Sequence, residues 1–147
     1  MTETIASILN CKGSVVWSVA PDATVYDAIA LMAEHRVGAL LVLSDDRLVG
    51  ILSERDYARK VILQGRSSRE TPVNEIMTSG VVTVTPDHTV DECMLIMTQE
   101  RIRHLPVMIQ DTVVGIVSIG DLVRSIISAQ AHTIHQLHTY ISGTYPS

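Results

Sequence analysis

"VGILSERDYARKV" (residues 49–61) and "VGIVSIGDLVRSI" (114–126) decide the fold. In each, an apolar β-type run ends at a serine and a segment with helical spacing begins within one residue of it. Ser53 then stands three places before Asp56, and Ser118 three places before Asp121. Ser118 follows Ser53 by 65 residues, and the same shift aligns Val16 with Val81, Val19 with Val84, Pro21 with Pro86, Thr24 with Thr89, Met32 with Met97 and Val49-Gly50-Ile51 with Val114-Gly115-Ile116, without a gap. Chance does not produce such a run, so the chain is an internal duplication.

The apolar period changes in the same order within each copy. "VVWSVAP" and "VVTVTP" are β-branched runs stopped by proline, and the Pro-Asp-x-Thr that follows supplies a turn and a helix N-cap. Helices are expected over 24–35 and 89–100, where Val25, Ala28, Ile29 and Met32, and Val90, Cys93, Met94 and Met97, repeat at helical spacing. "ALLVL" and "LVGIL", then "LPVMI" and "VVGIV", flank short polar turns and read as hairpins. A helix over 54–64 closes the first copy and one over 119–129 the second. The order is β-α-β-β-α, twice: an α/β (α+β) fold of two units, 9–66 and 74–129, with a linker at 67–73 and a C-terminal helix and tail at 130–147. A unit of this size buries too little apolar surface to be comfortable alone. Two units packed about a pseudo-twofold axis solve that problem and create two equivalent crevices.

With 147 residues, 46% hydrophobic and 18% charged, the chain is long enough for a genuine core. A net charge of −5 and 3% aromatic content argue against nucleic acid as a partner, since that binding needs cations and stacking rings. The two cysteines, Cys11 and Cys93, have no CxxC spacing and fit a reducing compartment, for which the cytoplasm is the default. The first residues lack a secretion-signal pattern, and apolar runs such as "VGALLVL" are far below the ~20 residues that span a bilayer, so no membrane role is expected.

Ser53-x-x-Asp56 reads in two ways. As a capping box, the hydroxyl and carboxylate satisfy backbone N–H groups at the helix start. As a ligand site, a rigidly held carboxylate accepts from the two hydroxyls of a ribose, and the helix start favours the phosphate. The residues alone leave both open. His132, His135 and His138 fall at helical spacing but without a neighbouring cysteine or carboxylate, so metal binding there is disfavoured. Trp17 alternates with Val15 and Val19 on a strand, which suggests burial or a dimer contact; Cys93 lies on an apolar helix face and is expected to be inert. No nucleophile and base pair, G-x-S-x-G elbow or Gly-Lys phosphate loop is present, so no enzyme is expected.

Taken together, "VTPDHTV", "MLIMTQERIRHLPV" and "VVGIVSIGDLV", with their first-half copies, resemble the cystathionine-β-synthase (CBS) domain family over residues ~9–129. The resemblance implies a stand-alone tandem pair (Bateman module) that binds AMP, ADP, ATP or NAD, needs no obligatory cofactor, associates as a homodimer and signals energy or redox state to an unidentified regulated protein. It pairs Ser53 and Asp56 with Val81–Val84 and the strand entry "RIRHLP" (101–106). Asp56 would hold the ribose, Arg103 and His104 the phosphates, and backbone at Leu105 and Pro106 the adenine, with Arg55 a weaker candidate. The mirror crevice pairs Ser118 and Asp121 with Val16–Val19 and with Val37, Gly38 and Ala39. Gly38 and Ala39 stand where Arg103 and His104 stand in the other copy, so this crevice lacks those cations, Arg36 being a partial substitute, and the two sites are expected to be unequal. The rival implication is a ligand-free interaction module that uses the same fold as a scaffold.

Overall fold

The computed structural model describes residues 3–141. The duplication is reproduced in register. Strand β2 (Ala39–Ser44) pairs antiparallel with β3 (Arg47–Ser53), as β4 (His104–Ile109) does with β5 (Thr112–Ser118). Ala39 opposes Ser53 and His104 opposes Ser118, and both ladders slip at equivalent places, after Val42 and after Val107. Asp45 and Asp46 turn the first hairpin with φ of 50° and 64°, the left-handed conformation that matches strand twist and that aspartate tolerates.

The two β-branched runs expected as full strands pair only at their ends. Ser18–Val19 (β1) lies parallel to β2, and Val84 forms a single parallel bridge to Val107. Each run meets the sheet only where it reaches the edge of its hairpin, just before the proline that stops it. Upstream, Val15 is 69% exposed.

Helices α2 (Val25–His35) and α4 (Val90–Glu100) start where expected, under Thr24 and Thr89, whose hydroxyls accept from Asp27 N–H and Glu92 N–H. They end at Arg36 and Arg101, both left-handed at φ 55° and 56°, with N–H groups donating to Met32 and Met97 carbonyls. The closing helices differ from expectation and from each other. The first, α3 (Glu54–Tyr57), widens into a π-type turn over Ala58–Ile62, where Leu63 N–H donates to the Ala58 carbonyl at 3.0 Å. The second, α5 (Ile119–Ile141), is one 23-residue helix, so no break separates it from the C-terminal helix expected from residue 130. The tail beyond 141 lies outside the described residues.

Two cores form, and each borrows a segment from elsewhere in the chain. Val25, Ala28, Met32, Leu40, Val42, Leu52 and Val61 pack with Val73 and Ile76. Val84, Val90, Cys93, Met97, Leu105, Val107, Val117 and Leu122 pack with Ile5 and Ile8 of α1 (Ile5–Lys12), a helix not anticipated from the sequence. The exchange is symmetric: Thr4 bridges Thr89 while Pro72 bridges Thr24, and Leu9 lies against Gly115 while Met77 lies against Gly50. Both glycines make room for the close approach: a Cβ at Gly115 would stand 2.8 Å from Leu9 Cδ2 and the leucine would have to shift. Residues 67–73 are thus no simple spacer, since Thr71 and Val73 are buried, and residues 5–8 belong to the second core although the first unit was drawn from residue 9. Burial of each such aliphatic side chain stabilises by about 1.5–3 kcal/mol.

Candidate functional site: a crevice between the two units

The Ser53–Asp56 junction is a complete capping box. Ser53 N–H donates to Asp56 Oδ2 (3.0 Å) and Asp56 N–H donates to Ser53 Oγ (3.1 Å). Ser53 Oγ also donates to Oδ2, which leaves Oδ1 facing Thr78 Oγ1 (3.5 Å) and Lys60 Nζ (3.2 Å). Lys60 is itself tied to the Ile76 carbonyl at 2.9 Å. The cap therefore fixes the carboxylate at the mouth of a cavity of about 480 Å³. Capping and ligand binding are compatible here, because the cap uses Oδ2 and turns Oδ1 toward the polar side chains.

Of the residues expected on this side, Ser53, Arg55, Asp56, Val81, Arg103 and His104 line the cavity together. Val82 and Arg101, inside the two stretches expected here, line it as well, whereas sequence reasoning missed Arg59, Lys60, Thr78 and Gly80. Helical spacing from Asp56 could have found Lys60, one turn on. Five cationic side chains (Arg55, Arg59, Lys60, Arg101, Arg103) meet three carboxylates (Glu54, Asp56, Glu100) around it. The cavity is locally positive on a chain of net charge −5.

Other expected contacts do not reach it. Val84 is buried in the second core, and both its backbone groups are engaged: its N–H donates to the Pro106 carbonyl (3.0 Å) and its carbonyl accepts from Met108 N–H (2.8 Å). Leu105 and Pro106 are buried as well, and the Pro106 carbonyl is spent on Val84. Any planar group in this cavity would meet Val81 and Val82 instead. A second hollow of about 380 Å³, between Arg47, Met108 and Asp111, shares Gly80 and Val81 with the first.

Gly38, assigned to the mirror crevice, lines the Asp56 cavity. A Cβ there would lie 3.6 Å from the His104 ring, an ordinary contact distance, so the two strand starts adjoin. Burial pushes the His104 pKa below its ordinary value; the Asp121 charge opposes this, while Lys12 and Arg103 reinforce it. Ala39 is buried, Val19 and Val37 pack on the first core, and Val16 is half-buried.

The Asp121 side repeats the cap, but here cations close on the carboxylate. Ser118 N–H donates to Asp121 Oδ2 (2.8 Å) and Asp121 N–H donates to Ser118 Oγ (3.2 Å). Lys12 Nζ, arriving from α1, lies 2.7 Å from the same Oδ2 and 2.9 Å from the Ile116 carbonyl, and Arg124 donates to Oδ1 at 2.6 Å. Cations expected to be missing here come instead from α1 and α5. Arg36, suggested as a substitute, is the exposed C-cap of α2. Asp121 is only 7% exposed. Burial works against its charged form, but hydrogen bonds from Lys12 and Ser118 together with the Lys12 charge outweigh it and hold the pKa below the ordinary carboxylate value.

Outside the crevices, Trp17 is partly exposed and stacks on His35 with ring centroids 3.4 Å apart. Cys93 is buried, and burial, with the Glu92 charge, pushes its thiol up to about 11, which makes it unreactive at neutral pH. His132, His135 and His138 are exposed on α5, and among the described residues no cluster of three metal-ligating side chains exists. Among those residues no helix is long and apolar enough to cross a membrane.

Comparison with known proteins gives the same division of the chain. The CBS domain family matches residues 13–62 and 73–128. The mitochondrial CBS domain-containing protein CBSX3 of Arabidopsis thaliana is 43% identical over 152 residues, covering 97% of this chain and 73% of its own. The solved structure of a CBS-domain protein from Burkholderia ambifaria MC40-6, named for signal transduction, superposes with a TM-score of 0.84 at 52% identity, covering 86% of this chain and 96% of that one. The CBS domain pair of protein MJ0100, in complex with 5′-methylthioadenosine and S-adenosyl-L-methionine, superposes with a TM-score of 0.78 at 25% identity, covering 88% and 99%. With two matched segments, one in each half of a duplicated β-α-β-β-α chain, this protein belongs to the CBS domain family as a tandem pair.

Proposed function

We propose that this CBS pair is a regulatory, non-catalytic module that binds an adenine nucleotide (AMP, ADP, ATP or NAD) in the Asp56 crevice and reports energy or redox state to a partner protein. The carrying observation is the locally positive cavity with the capped Asp56 carboxylate at its mouth. Its volume is in the range of small-molecule sites. Asp56 Oδ1 is suited to accept from a ribose hydroxyl, Arg103 and Arg55 to meet a phosphate tail, and Val81 and Val82 to cover the base. The ring of cations favours a phosphate-bearing adenosine over the sulfonium cation that the MJ0100 pair holds. The ligand acts by binding one conformation of the crevice more tightly than another.

The module is proposed to work as a homodimer in the cytoplasm, with α5 at the subunit contact. Ile127, Ile134 and Leu137 stand 57–66% exposed along that helix, with Ile119 and Val123 partly exposed at its start. Sedimentation velocity across a concentration series would measure the association, and Ile134→Lys would be expected to abolish it.

Thermal unfolding with AMP, ADP, ATP, NAD and S-adenosylmethionine tests the ligand. A phosphate-bearing nucleotide at 100 times its Kd adds about 2.7 kcal/mol to the folded state, and Asp56→Ala removes the shift. If no compound moves the transition, the binding reading fails and the exposed row on α5 favours the rival reading, an interaction scaffold.

A further inference from the structure

The two crossing segments part company just after their matching contacts. Met77 lies against Gly50, and three residues on comes Gly80, whose missing Cβ would meet nothing within 4 Å, at the wall of the Asp56 cavity. Leu9 lies against Gly115, and three residues on comes Lys12. Where one segment brings a hydrogen atom to its crevice, the other brings a four-carbon stem and an ammonium. That ammonium is fixed by Asp121 Oδ2 at 2.7 Å and by the Ile116 carbonyl at 2.9 Å. With Ser118 N–H on Oδ2 and Arg124 on Oδ1, both carboxylate oxygens are engaged.

The support beneath Lys12 is firm. It is the last residue of α1, whose Ile5 and Ile8 are core residues and whose backbone is pinned by Ile5 N–H to the His88 carbonyl (2.9 Å) and Ala6 N–H to the Pro86 carbonyl (3.0 Å). Gly13 ends the helix at φ 92°, directly after the lysine. Lys60, the ammonium at Asp56, differs in kind: it comes from the following turn of the same helical segment and leaves the cavity open.

We propose that Lys12 is the built-in occupant of the Asp121 crevice. It takes the hydrogen-bonding positions that a ribose would need, so the wild-type chain binds one adenine nucleotide, and removing the ammonium opens a second site. Arg124, whose side chain is 73% exposed, then becomes the phosphate cation of that site. The inference rests on the proposed reading of the Asp56 crevice and extends it to the other half.

Isothermal titration calorimetry with ATP tests it. Wild type is expected to bind one ATP per chain, Lys12→Ala two, and Lys12→Ala/Asp121→Asn one again. Lys12→Met keeps the stem and its packing while losing the charge; it is expected to behave as Lys12→Ala does and serves if the alanine variant folds poorly. Two ATP per wild-type chain, or one in wild type and still only one in both Lys12 variants, overturns the proposal. One ATP in Lys12→Ala with none in wild type supports it while sinking the Asp56 reading, and no binding by any of the proteins overturns both.

Discussion

The same Ser-x-x-Asp cap stands at the mouth of an open cavity in one half and under a cation clamp in the other. At Asp56 the nearest ammonium is Lys60, four residues along the same helical segment. At Asp121 it is Lys12, 109 residues away in sequence. Hairpin register, bulge position and N-caps are reproduced between the halves, so the repeated scaffold does not decide which crevice is open. The segments that cross between the halves decide it. They lie outside the 65-residue register of the repeat, and one of them brings Gly80 where the other brings Lys12.

The largest effect expected is on the crossing itself. Ile5→Ala deletes most of a fully buried side chain and should cost about 2–5 kcal/mol in chemical denaturation. A loss under about 1 kcal/mol would mean that α1 only rests on the second unit, and the symmetry with Val73 would collapse. Next, Asp56→Ala should weaken ATP about 100-fold, or roughly 2.7 kcal/mol, while Asp121→Ala leaves wild-type affinity unchanged. Equal losses in calorimetry would erase the distinction between the crevices.

Acid sharpens the contrast, because His104 and Asp121 both lie in the second half. His104 has a folded-state pKa below its unfolded value of about 6.5, so the unfolded chain takes up the proton first. Its contribution to stability is complete above that pH and is lost as pH falls through the folded value. Asp121 contributes above its unfolded pKa of about 3.9 and loses that contribution as pH falls through its lowered folded value. His104→Gln should flatten the stability profile below about pH 6.5 and Asp121→Asn the profile below about pH 4. Urea titrations at stepped pH that show no flattening in either variant would contradict this. The smallest effect concerns the matched C-caps: Arg36→Gly and Arg101→Gly relieve left-handed residues and should each stabilise by about 0.5–1 kcal/mol. Only Arg101→Gly, at the cavity wall, should also weaken ATP.

The sequence made the repeat legible because equal shifts preserve side-chain identity: Ser53 and Ser118, Gly50 and Gly115, Thr24 and Thr89 all sit at equivalent structural positions. It hid α1, since Ile5 and Ile8 correspond to Val73 and Ile76 at a shift of 68 rather than 65, with Ile8 and Ile76 the one identity among these core positions. The shared pattern, a polar or proline residue followed by apolar residues one, four and five places on, was the available signal. Asp56, Arg103 and His104 were readable at the crevice because they occupy a strand end and a helix start, where direction is fixed locally. Val84, Leu105 and Pro106 were misplaced because their burial depends on which side of β4 the first strand docks, a tertiary choice that alternation alone does not encode. Lys12 was not readable at all: its partner lies across the molecule.

The exchange of segments also sets an order in time. During synthesis the first core can close once Val73 and Ile76 have emerged, soon after the rest of its parts. The amphipathic α1 leaves the ribosome ahead of all its partners and waits for residues 84–122 before Ile5 and Ile8 find cover. At about 5–20 residues per second that wait lasts several seconds, long enough for exposed aliphatic surface to meet other chains. The segment that clamps the second crevice in the finished protein thus waits longest for its cover while the chain is being made, and chaperone dependence should concentrate there.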